Sequence, residues 1–434
     1  MGKDRLYTSK TSAWKWIPSL YFAEGLPYVA VITISTFLYK ELGLSNTEIA
    51  LYTSWLYLPW TIKSLWSPFV DLLKTKRWWI VSMQTLIAAS MAGIAFFIPT
   101  PFYVQATLAC FWLIAFGSAT HDISADGFYM IGLSEGEQSF FVGIRNTFYR
   151  FAMIFGQGIL VMLAGWIENK YGNIQLAWSL VFYLMAGIFI ALALYHNYIL
   201  PRPAKDCSNE ALSAKGIWED FVKTFTTFFQ KKEIGFILFF LLTYRLGEAQ
   251  LTKMASLFLL DDNSAGGLDL GTSTVGFIYG TIGVIGLLLG GIVSGILVSR
   301  DGFKRWLIPM ALAINLPDLL YVFLAITTPQ QAWIVGTCVA IEQFGYGFGF
   351  TACTLYLIYI IADNPKKTAH YAIGTGIMLL GLMIPGMPAG WIQEHIGYTW
   401  FFAWVCLCTT PGIIVSTIIR KSIPEDFGKL NHKP

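Results

Sequence analysis

The hydrophobic positions of this chain are gathered into twelve long runs separated by short polar segments. The runs cover residues 16–39, 47–66, 78–98, 102–124, 140–167, 175–199, 234–260, 273–298, 306–327, 332–361, 370–392 and 398–419. At a rise of about 1.5 Å per residue, each run is long enough to cross a hydrocarbon layer of about 30 Å. The pattern therefore predicts an all-α polytopic membrane protein with twelve transmembrane helices.

The only long internal polar stretch lies between the sixth and seventh predicted helices. It covers residues 201–232 and opens with Pro201-Arg202-Pro203. We expect residues 1–200 to form an N-terminal six-helix bundle and residues 233–434 a C-terminal one, with 201–232 as the cytoplasmic linker between them.

One phrase occurs in both halves at the end of a hydrophobic run. Residues 164–172 read AGWIENKYG and residues 389–397 read AGWIQEHIG, 225 positions apart. Internal repeats of hydrophobic segments are typical of secondary transporters, whose substrate sites lie between the repeats. The repeat favours two related halves and a transport function.

The distribution of Lys and Arg predicts the orientation of the chain. Twenty-two of the 29 fall in the termini, the linker and every second loop, whereas the opposite loops hold only Lys40 and Lys170. Because cytoplasmic loops carry an excess of positive residues, we expect both termini to be cytoplasmic.

Composition excludes several classes of function. Apolar residues make up 55% of the chain and charged residues 13%, against roughly 25% charged in soluble domains. The net charge of +3 and the lack of a basic tract argue against a nucleic-acid partner. We expect neither a disulfide framework nor an enzyme, a metal or a cofactor, because most cysteines lie inside apolar runs and no HExxH or GxSxG motif is present.

Two loops at matching places in the halves combine an acid with a basic cluster. They read Asp71-Leu-Leu-Lys-Thr-Lys-Arg77 and Arg300-Asp301-Gly-Phe-Lys-Arg305. This pattern resembles the loop signature of the major facilitator superfamily, which implies a gating role for Asp71, Arg77, Asp301 and Arg305 in holding the outward-facing state. Positive-inside topology alone explains the cations but not the repeated acid.

Longer motifs resemble the AmpG muropeptide permease family and, more distantly, the acetyl-coenzyme A transporters. They are Phe22-Ala-Glu-Gly-Leu-Pro27, Leu65-Trp-Ser-Pro-Phe-Val-Asp71, Ser118-Ala-Thr-His-Asp-Ile-Ser-Ala-Asp126, Tyr149-Arg150, Tyr244-Arg-Leu-Gly-Glu248 and Glu342-Gln-Phe344. The resemblance implies a proton-coupled, monomeric importer of anhydro-muropeptides in the inner membrane of a Gram-negative bacterium. The alternative is the same fold with another sugar, a glycoside or an acyl-coenzyme conjugate as cargo.

Ionisable side chains inside the predicted helices are the candidate site residues, since charge within a bilayer is costly and is kept for a function. They are Glu24, Lys63, His121, Asp122, Asp126, Arg145, Arg150, Arg245, Glu248, Lys253, Asp318 and Glu342. Eight of the twelve lie on predicted helices 1, 4, 7 and 10, which the resemblance implies line the central cavity.

We assign two sets of roles to these residues. For binding the cargo, we expect Arg150 and Arg245 to neutralise its carboxylates, with Glu248, Glu342 and Tyr346 also in contact with it. For carrying or sensing the proton, the candidates are Glu24, His121, Asp122 and Glu342.

Structural roles compete with these assignments. Arg245 and Glu248 are three positions apart and could form a local salt bridge. Asp122 and Asp126 could instead cap predicted helix 4 and bind Arg145. We expect Lys63 to extend to the inner surface and Asp318, beside Pro317, to satisfy a kinked backbone; neither is a site candidate.

Overall fold

The computed structural model describes residues 13–203, 206, 214–361 and 367–429. This part of the chain is helical and contains no β-strand. Eleven of its helices are long and apolar enough to cross a membrane, so the protein is a multi-pass membrane protein. Their bounds, with the number 2 kept for segment 46–73, are α1 Ile17–Glu41, α3 Lys76–Phe97, α4 Tyr103–Gly132, α5 Gly136–Tyr171, α6 Ile174–Ile199, α7 Ile234–Leu260, α8 Thr272–Asp301, α9 Phe303–Thr327, α10 Ala332–Ile361, α11 Ala369–Gly386 and α12 Ala389–Ile419.

The second predicted helix is divided into several short pieces. Segment α2 consists of Asn46–Trp55, Leu58–Ile62, a 3-10 turn Lys63–Leu65 and Ser67–Leu73. Its start is well specified, because Ser45 caps it and forms a capping box with Glu48. Pro59 has no N–H to donate to residue 55, and Pro68 lies at the start of the last piece. The segment is therefore helical but bent.

Two other spans are interrupted near their middle. The helix α7 stops at Thr243 and resumes at Leu246, and α9 stops at Asn315 and resumes at Asp318, after Pro317. Irregular backbone inside a membrane is tolerated where it is surrounded by protein or lines a cavity. The interruptions place Arg245 and Asp318 at mid-span.

The repeated phrase ends with a glycine at positive φ in both halves. Gly172 closes α5 with φ of 65° and Gly397 has φ of 74° inside α12. Glycine adopts positive φ without the steric penalty of a β-carbon. The helix that begins at Ala389 thus stops at Gly397, and a second one follows it, so the stretch 389–396 belongs to the preceding crossing, after a break at Met387-Pro388.

The chain divides into two compact units. Unit 1 comprises residues 1–38 and 62–219. In it, α1 crosses α5 closely: a β-carbon on Gly25 would lie 2.8 Å from the Tyr149 carbonyl oxygen, and one on Gly156 would lie 2.6 Å from Val29 Cγ1. Small residues allow such contact between helices in lipid.

Unit 2 comprises residues 39–61 and 220–434, so it includes the first half of α2. Its closest crossings use the glycines of α10. A β-carbon on Gly349 would lie 2.6 Å from the Met310 carbonyl oxygen, and Gly345 and Gly347 meet the carbonyls of Ala313 and Leu287 still more tightly. These glycines thus permit close packing of α10 against α8 and α9.

The linker contributes a helix, Ala214–Phe229, and a cap for α3. The carboxylate of Asp206 accepts hydrogen bonds from the backbone N–H groups of Lys76, at 2.6 Å, and Arg77, at 3.2 Å. A negative charge at a helix N-terminus satisfies free N–H groups and complements the helix dipole. Asp206 was not among the residues expected to act in this way.

Candidate transport site

Five candidate residues of unit 1 form one cluster of alternating charge: Glu24, Lys63, Asp122, Asp126 and Arg145. Lys63 Nζ lies 3.6 Å from Asp122 Oδ2, so Lys63 is paired rather than simply extended to a surface. Glu24 interacts electrostatically with the other four members of this cluster, which are Asp126, Asp122, Arg145 and Lys63. Atom Oε2 of Glu24 is buried and has no hydrogen-bond partner among the described residues. One acid of this cluster thus has an oxygen available for a proton.

Arg145 and Asp126 form the second pair of this cluster, as the structural alternative predicted. Arg145 Nη1 lies 3.1 Å from Asp126 Oδ1 and donates to the hydroxyl of Tyr21, also at 3.1 Å. Tyr21 in turn donates to Asp126 at 3.2 Å, and the guanidinium lies 4.7 Å from the centroid of its ring. Asp126 and Tyr21 hold Arg145 here through an ion pair, a hydrogen bond and a cation–π contact, which favours a structural role for Asp126.

His121 faces away from the two acids on its own helix. Its Nε2 lies 3.0 Å from Gln84 Nε2, and Gln84 lies 2.9 Å from His196 Nδ1. His196 Nε2 continues the chain to Ser19 Oγ at 2.9 Å. The side chains of His121, Gln84 and His196 are fully buried. The structure therefore places His121 in a hydrogen-bonded network between α1, α3, α4 and α6 that sequence reasoning missed.

Arg245 is the central cation of unit 2. It is buried, and Nη2 donates a hydrogen bond to the hydroxyl of Tyr346 at 2.6 Å. The guanidinium lies 5.0 Å from the ring centroids of both Tyr346 and Phe350. Arginine stacks on aromatic faces while keeping N–H donors for a carboxylate. The predicted residues Arg245 and Tyr346 are brought together.

Three buried carboxyl groups accompany Arg245 in unit 2. Glu248 has one oxygen near Thr252 Oγ1, at 3.4 Å, while its Oε2 has no partner among the described residues. Glu342 accepts a hydrogen bond from Gln343 Nε2 at 3.0 Å. Asp318 is completely buried, and neither of its oxygens has a hydrogen-bond partner in the described chain.

The expectation that Asp318 satisfies a kinked backbone is therefore wrong. A β-carbon on Gly247 would lie 3.3 Å from Asp318 Oδ2, so the acid faces α7 one residue before Glu248. The charges of Glu248 and Glu342 act on it. Asp318 joins these two as a site residue, and its signal in the sequence was a carboxylate in mid-span.

Arg150 stands apart from both clusters. Its Nη1 lies 3.5 Å from Met153 Sδ, and no carboxylate of the described chain lies within 4.0 Å of it. This leaves the guanidinium available for a ligand.

The predicted gating residues are distributed over two loops. Asp301 accepts hydrogen bonds from Arg300 Nη2 at 2.9 Å and Trp306 Nε1 at 3.0 Å, and Arg305 lies 3.8 Å from it. Arg77 donates to the carbonyl of Asn197. The side chain of Asp71 lies outside the described residues.

Comparison with known proteins identifies the protein family. The profile of the Major Facilitator Superfamily matches residues 19–389. The chain belongs to this superfamily. It is a membrane transporter and not an enzyme.

Relatives cover nearly the whole transporter. It is 25% identical over 417 residues to the anhydromuropeptide permease of Escherichia coli K12, covering 93% of this chain and 79% of that one. It is 24% identical to putative transporter AmpG 4 of Rickettsia conorii, covering 93% and 95%. The crystal structure of the nucleoside transporter NupG is similar in fold, with a TM-score of 0.68 at 15% identity over 94% of this chain and 99% of that chain. The resemblance to AmpG proteins is confirmed.

Proposed function

We propose that this transporter imports anhydro-muropeptides together with protons by alternating access. The observation that carries the proposal is the similarity to the anhydromuropeptide permease along 93% of this chain. Such cargo combines an amino sugar with peptide carboxylates, which calls for buried cations and aromatic faces.

The buried groups of unit 2 support recognition of an anionic amino sugar. Arg245 offers a guanidinium held by Tyr346 and Phe350, and the aromatic rings offer apolar faces for a sugar. Glu248 and Glu342 supply acceptors for hydroxyl and amide groups. Arg150 supplies a second guanidinium.

The acids support proton coupling. An ionised carboxylate that is buried without a hydrogen-bond partner is strongly unfavourable, and taking up a proton removes its charge. Glu24, Glu248 and Asp318 each have such an oxygen in the described chain. We propose that Glu24, Asp122 and Glu342 bind or sense the transported proton, with Asp318 as an additional acid, and that His121 responds through Gln84.

We further propose the cellular setting that these roles require. The transporter would lie in the inner membrane of a Gram-negative bacterium as a monomer, with both termini in the cytoplasm. Residues 1–200 and 233–434 would be its two six-helix bundles, joined by the cytoplasmic linker 201–232. Asp71, Arg77, Asp301 and Arg305 would stabilise the outward-facing state.

Uptake into proteoliposomes tests the function. We expect a radiolabelled anhydro-muropeptide to accumulate when the lumen is alkaline relative to the outside, and an uncoupler to abolish the accumulation. An excess of unlabelled muropeptide should compete, whereas a nucleoside or an acyl-coenzyme A should not. Accumulation of a simple sugar or an acyl-coenzyme conjugate, with no uptake of the muropeptide, would assign the alternative cargo.

A further inference from the structure

One intramembrane cation of unit 2 has no role in the site described above. Lys253 lies on α7 and is 5% exposed. Its Nζ donates a hydrogen bond to Thr53 Oγ1 on α2 at 2.9 Å. The ammonium also lies 4.8 Å from the centroid of the Tyr57 ring. Both neighbours of this charge are neutral.

The neutral surroundings of Lys253 differ from those of two other intramembrane cations, Lys63 and Arg145. Lys63 lies 3.6 Å from a carboxylate oxygen of Asp122, and Arg145 lies 3.1 Å from one of Asp126. For Lys253, no carboxylate of the described chain lies within 4.0 Å. A buried ammonium without a counter-ion is costly, and one hydroxyl and one ring compensate only part of that cost. A cation retained under these conditions is suited to an anion that arrives from outside the protein.

A second buried polar group lies at the same place. Ser54 is fully buried, and its Oγ has no hydrogen-bond partner among the described residues. A β-carbon on Gly386 would lie 3.0 Å from Ser54 Oγ and 3.3 Å from Lys253 Cγ, so both side chains flank this glycine of α11. Two hydroxyls and one ammonium are therefore gathered where α2, α7 and α11 meet in unit 2.

We propose that Lys253, Thr53 and Ser54 form a second anion-binding site, which takes a carboxylate of the cargo when α2 and α7 separate at this point. The ammonium would exchange Thr53 for the carboxylate, and the free hydroxyl of Ser54 would donate to its other oxygen. The ring of Tyr57 holds the charge while the site is closed. The proposal rests on the proposed function, because it requires an anionic cargo.

Thiol chemistry tests the site without any cargo. Ser54→Cys is made in a chain whose six native cysteines are replaced. It is treated with an anionic sulfonatoethyl or a cationic trimethylammonioethyl methanethiosulfonate. Each rate is divided by the rate of the same reagent with a small free thiol, because a thiolate in solution favours the cationic reagent. We expect an at least tenfold higher relative rate for the anionic reagent, and loss of this preference when Lys253→Gln is added. Equal relative rates for the two reagents, or no reaction with either, would overturn the anion site whatever the cargo is.

Binding measurements connect the site to the cargo. Purified wild type, Lys253→Gln and Lys253→Arg are titrated with an anhydro-muropeptide and with the same molecule after its carboxylates are converted to amides. We expect Lys253→Gln to weaken binding of the acid form at least tenfold and to leave the amide form unchanged, and Lys253→Arg to retain most of the affinity. Lys170→Gln, which removes an exposed lysine lying over Trp166, is the matched control.

Failure of the anion site and failure of the proposed cargo give different results. Unchanged binding of the acid form by Lys253→Gln contradicts the proposed site. If wild type binds no muropeptide while Ser54→Cys keeps its preference for the anionic reagent, the proposed cargo is wrong and the anion site stands.

Discussion

Asn46, at the start of α2, donates a hydrogen bond from Nδ2 to Gln393 Oε1 at 2.8 Å, although the two residues are 347 positions apart. The same amide group lies 3.0 Å from Asp261 Oδ2 and 3.1 Å from the Tyr398 hydroxyl. Lys40 forms an ion pair with Asp261. This cluster ties the start of α2 to α7 and to the repeated phrase 389–397 within unit 2.

The first prediction concerns Gly390, the first glycine of the phrase 389–397. A β-carbon on Gly390 would overlap the carbonyl oxygen of Asn46. We expect Gly390→Ala to destabilise the protein by roughly 1 to 3 kcal/mol, as overpacking usually does. Gly187→Ala is the control, since Gly187 lies in α6 with open space around its position. Thermal unfolding in detergent measures both, and equal midpoints for the two variants would show that the contact at Gly390 is not needed.

The second prediction concerns the charge of Asp261. The side chains of Lys40 and Asp261 are 18% and 12% exposed, so their ion pair is intermediate between an exposed salt bridge and a fully buried one. We expect Asp261→Asn to weaken the cluster by about 1 to 3 kcal/mol. Spin labels at the exposed positions Leu51 and Trp400 should then report longer or broader distances. The neighbouring exposed acid provides the control Asp262→Asn, and identical distance distributions in both variants would contradict the prediction.

The membrane architecture could be predicted because the lipid environment allows few backbone conformations. Backbone groups in a bilayer must be satisfied within each segment, so long apolar runs become helices. The interruptions were less predictable. Pro59 and Pro317 mark two of them in the sequence, but the break before Leu246 follows Tyr244-Arg245, which contains neither proline nor glycine. Packing against neighbouring helices decides that break, and one sequence does not encode it locally.

Only part of the candidate site could be predicted from the sequence. The cost of charge in lipid identified Arg245, Glu248 and Glu342, but it says nothing about partners. Gln84 carries no charge, so the network from His121 to His196 was invisible to that criterion. Pro317 suggests a structural explanation for Asp318 in the sequence, but the two carboxylate oxygens have no hydrogen-bond partner among the described residues. Partners depend on how helices face one another, and hydropathy does not contain that information.

The third prediction concerns the two repeated loops. Asp301→Asn keeps the shape of the side chain but removes the charge that Arg300 and Arg305 approach. We expect this variant, like Asp71→Asn, to shift the population between inward- and outward-facing states without abolishing cargo binding. A shift from equal populations to about tenfold excess of one state corresponds to about 1.4 kcal/mol.

Distances between spin labels at the exposed positions Leu73 and Ile296 measure that shift. Glu219→Gln, an exposed acid of the linker helix, is the control for a general effect of losing one negative charge. Unchanged distances in both loop variants, with cargo affinity intact, would mean that the repeated acids do not gate the transporter.

The last prediction separates cargo binding from proton coupling. If Arg245 binds a cargo carboxylate, Arg245→Gln should lower affinity roughly 30-fold, equivalent to about 2 kcal/mol. If Glu342 or Glu24 holds the proton, Glu342→Gln or Glu24→Gln should leave exchange of cargo across the membrane running. Acceleration by a proton gradient should be lost in the variant of the acid that carries the proton. Binding, exchange and gradient-driven uptake are measured separately on each purified variant.

Folding has to be checked first, because leaving one member of a buried pair unpaired can cost about 3 to 5 kcal/mol. Asp318→Asn offers an informative comparison, since neither of its oxygens has a partner in the described chain and little stability should be lost. A variant that unfolds at a normal temperature but has lost gradient-driven uptake identifies a coupling acid. If Arg245→Gln, Glu342→Gln and Glu24→Gln all keep normal affinity and normal gradient-driven uptake, these charges are structural. Proton coupling would then have to depend on other groups, with Asp318 and Asp122 as the next acids to replace.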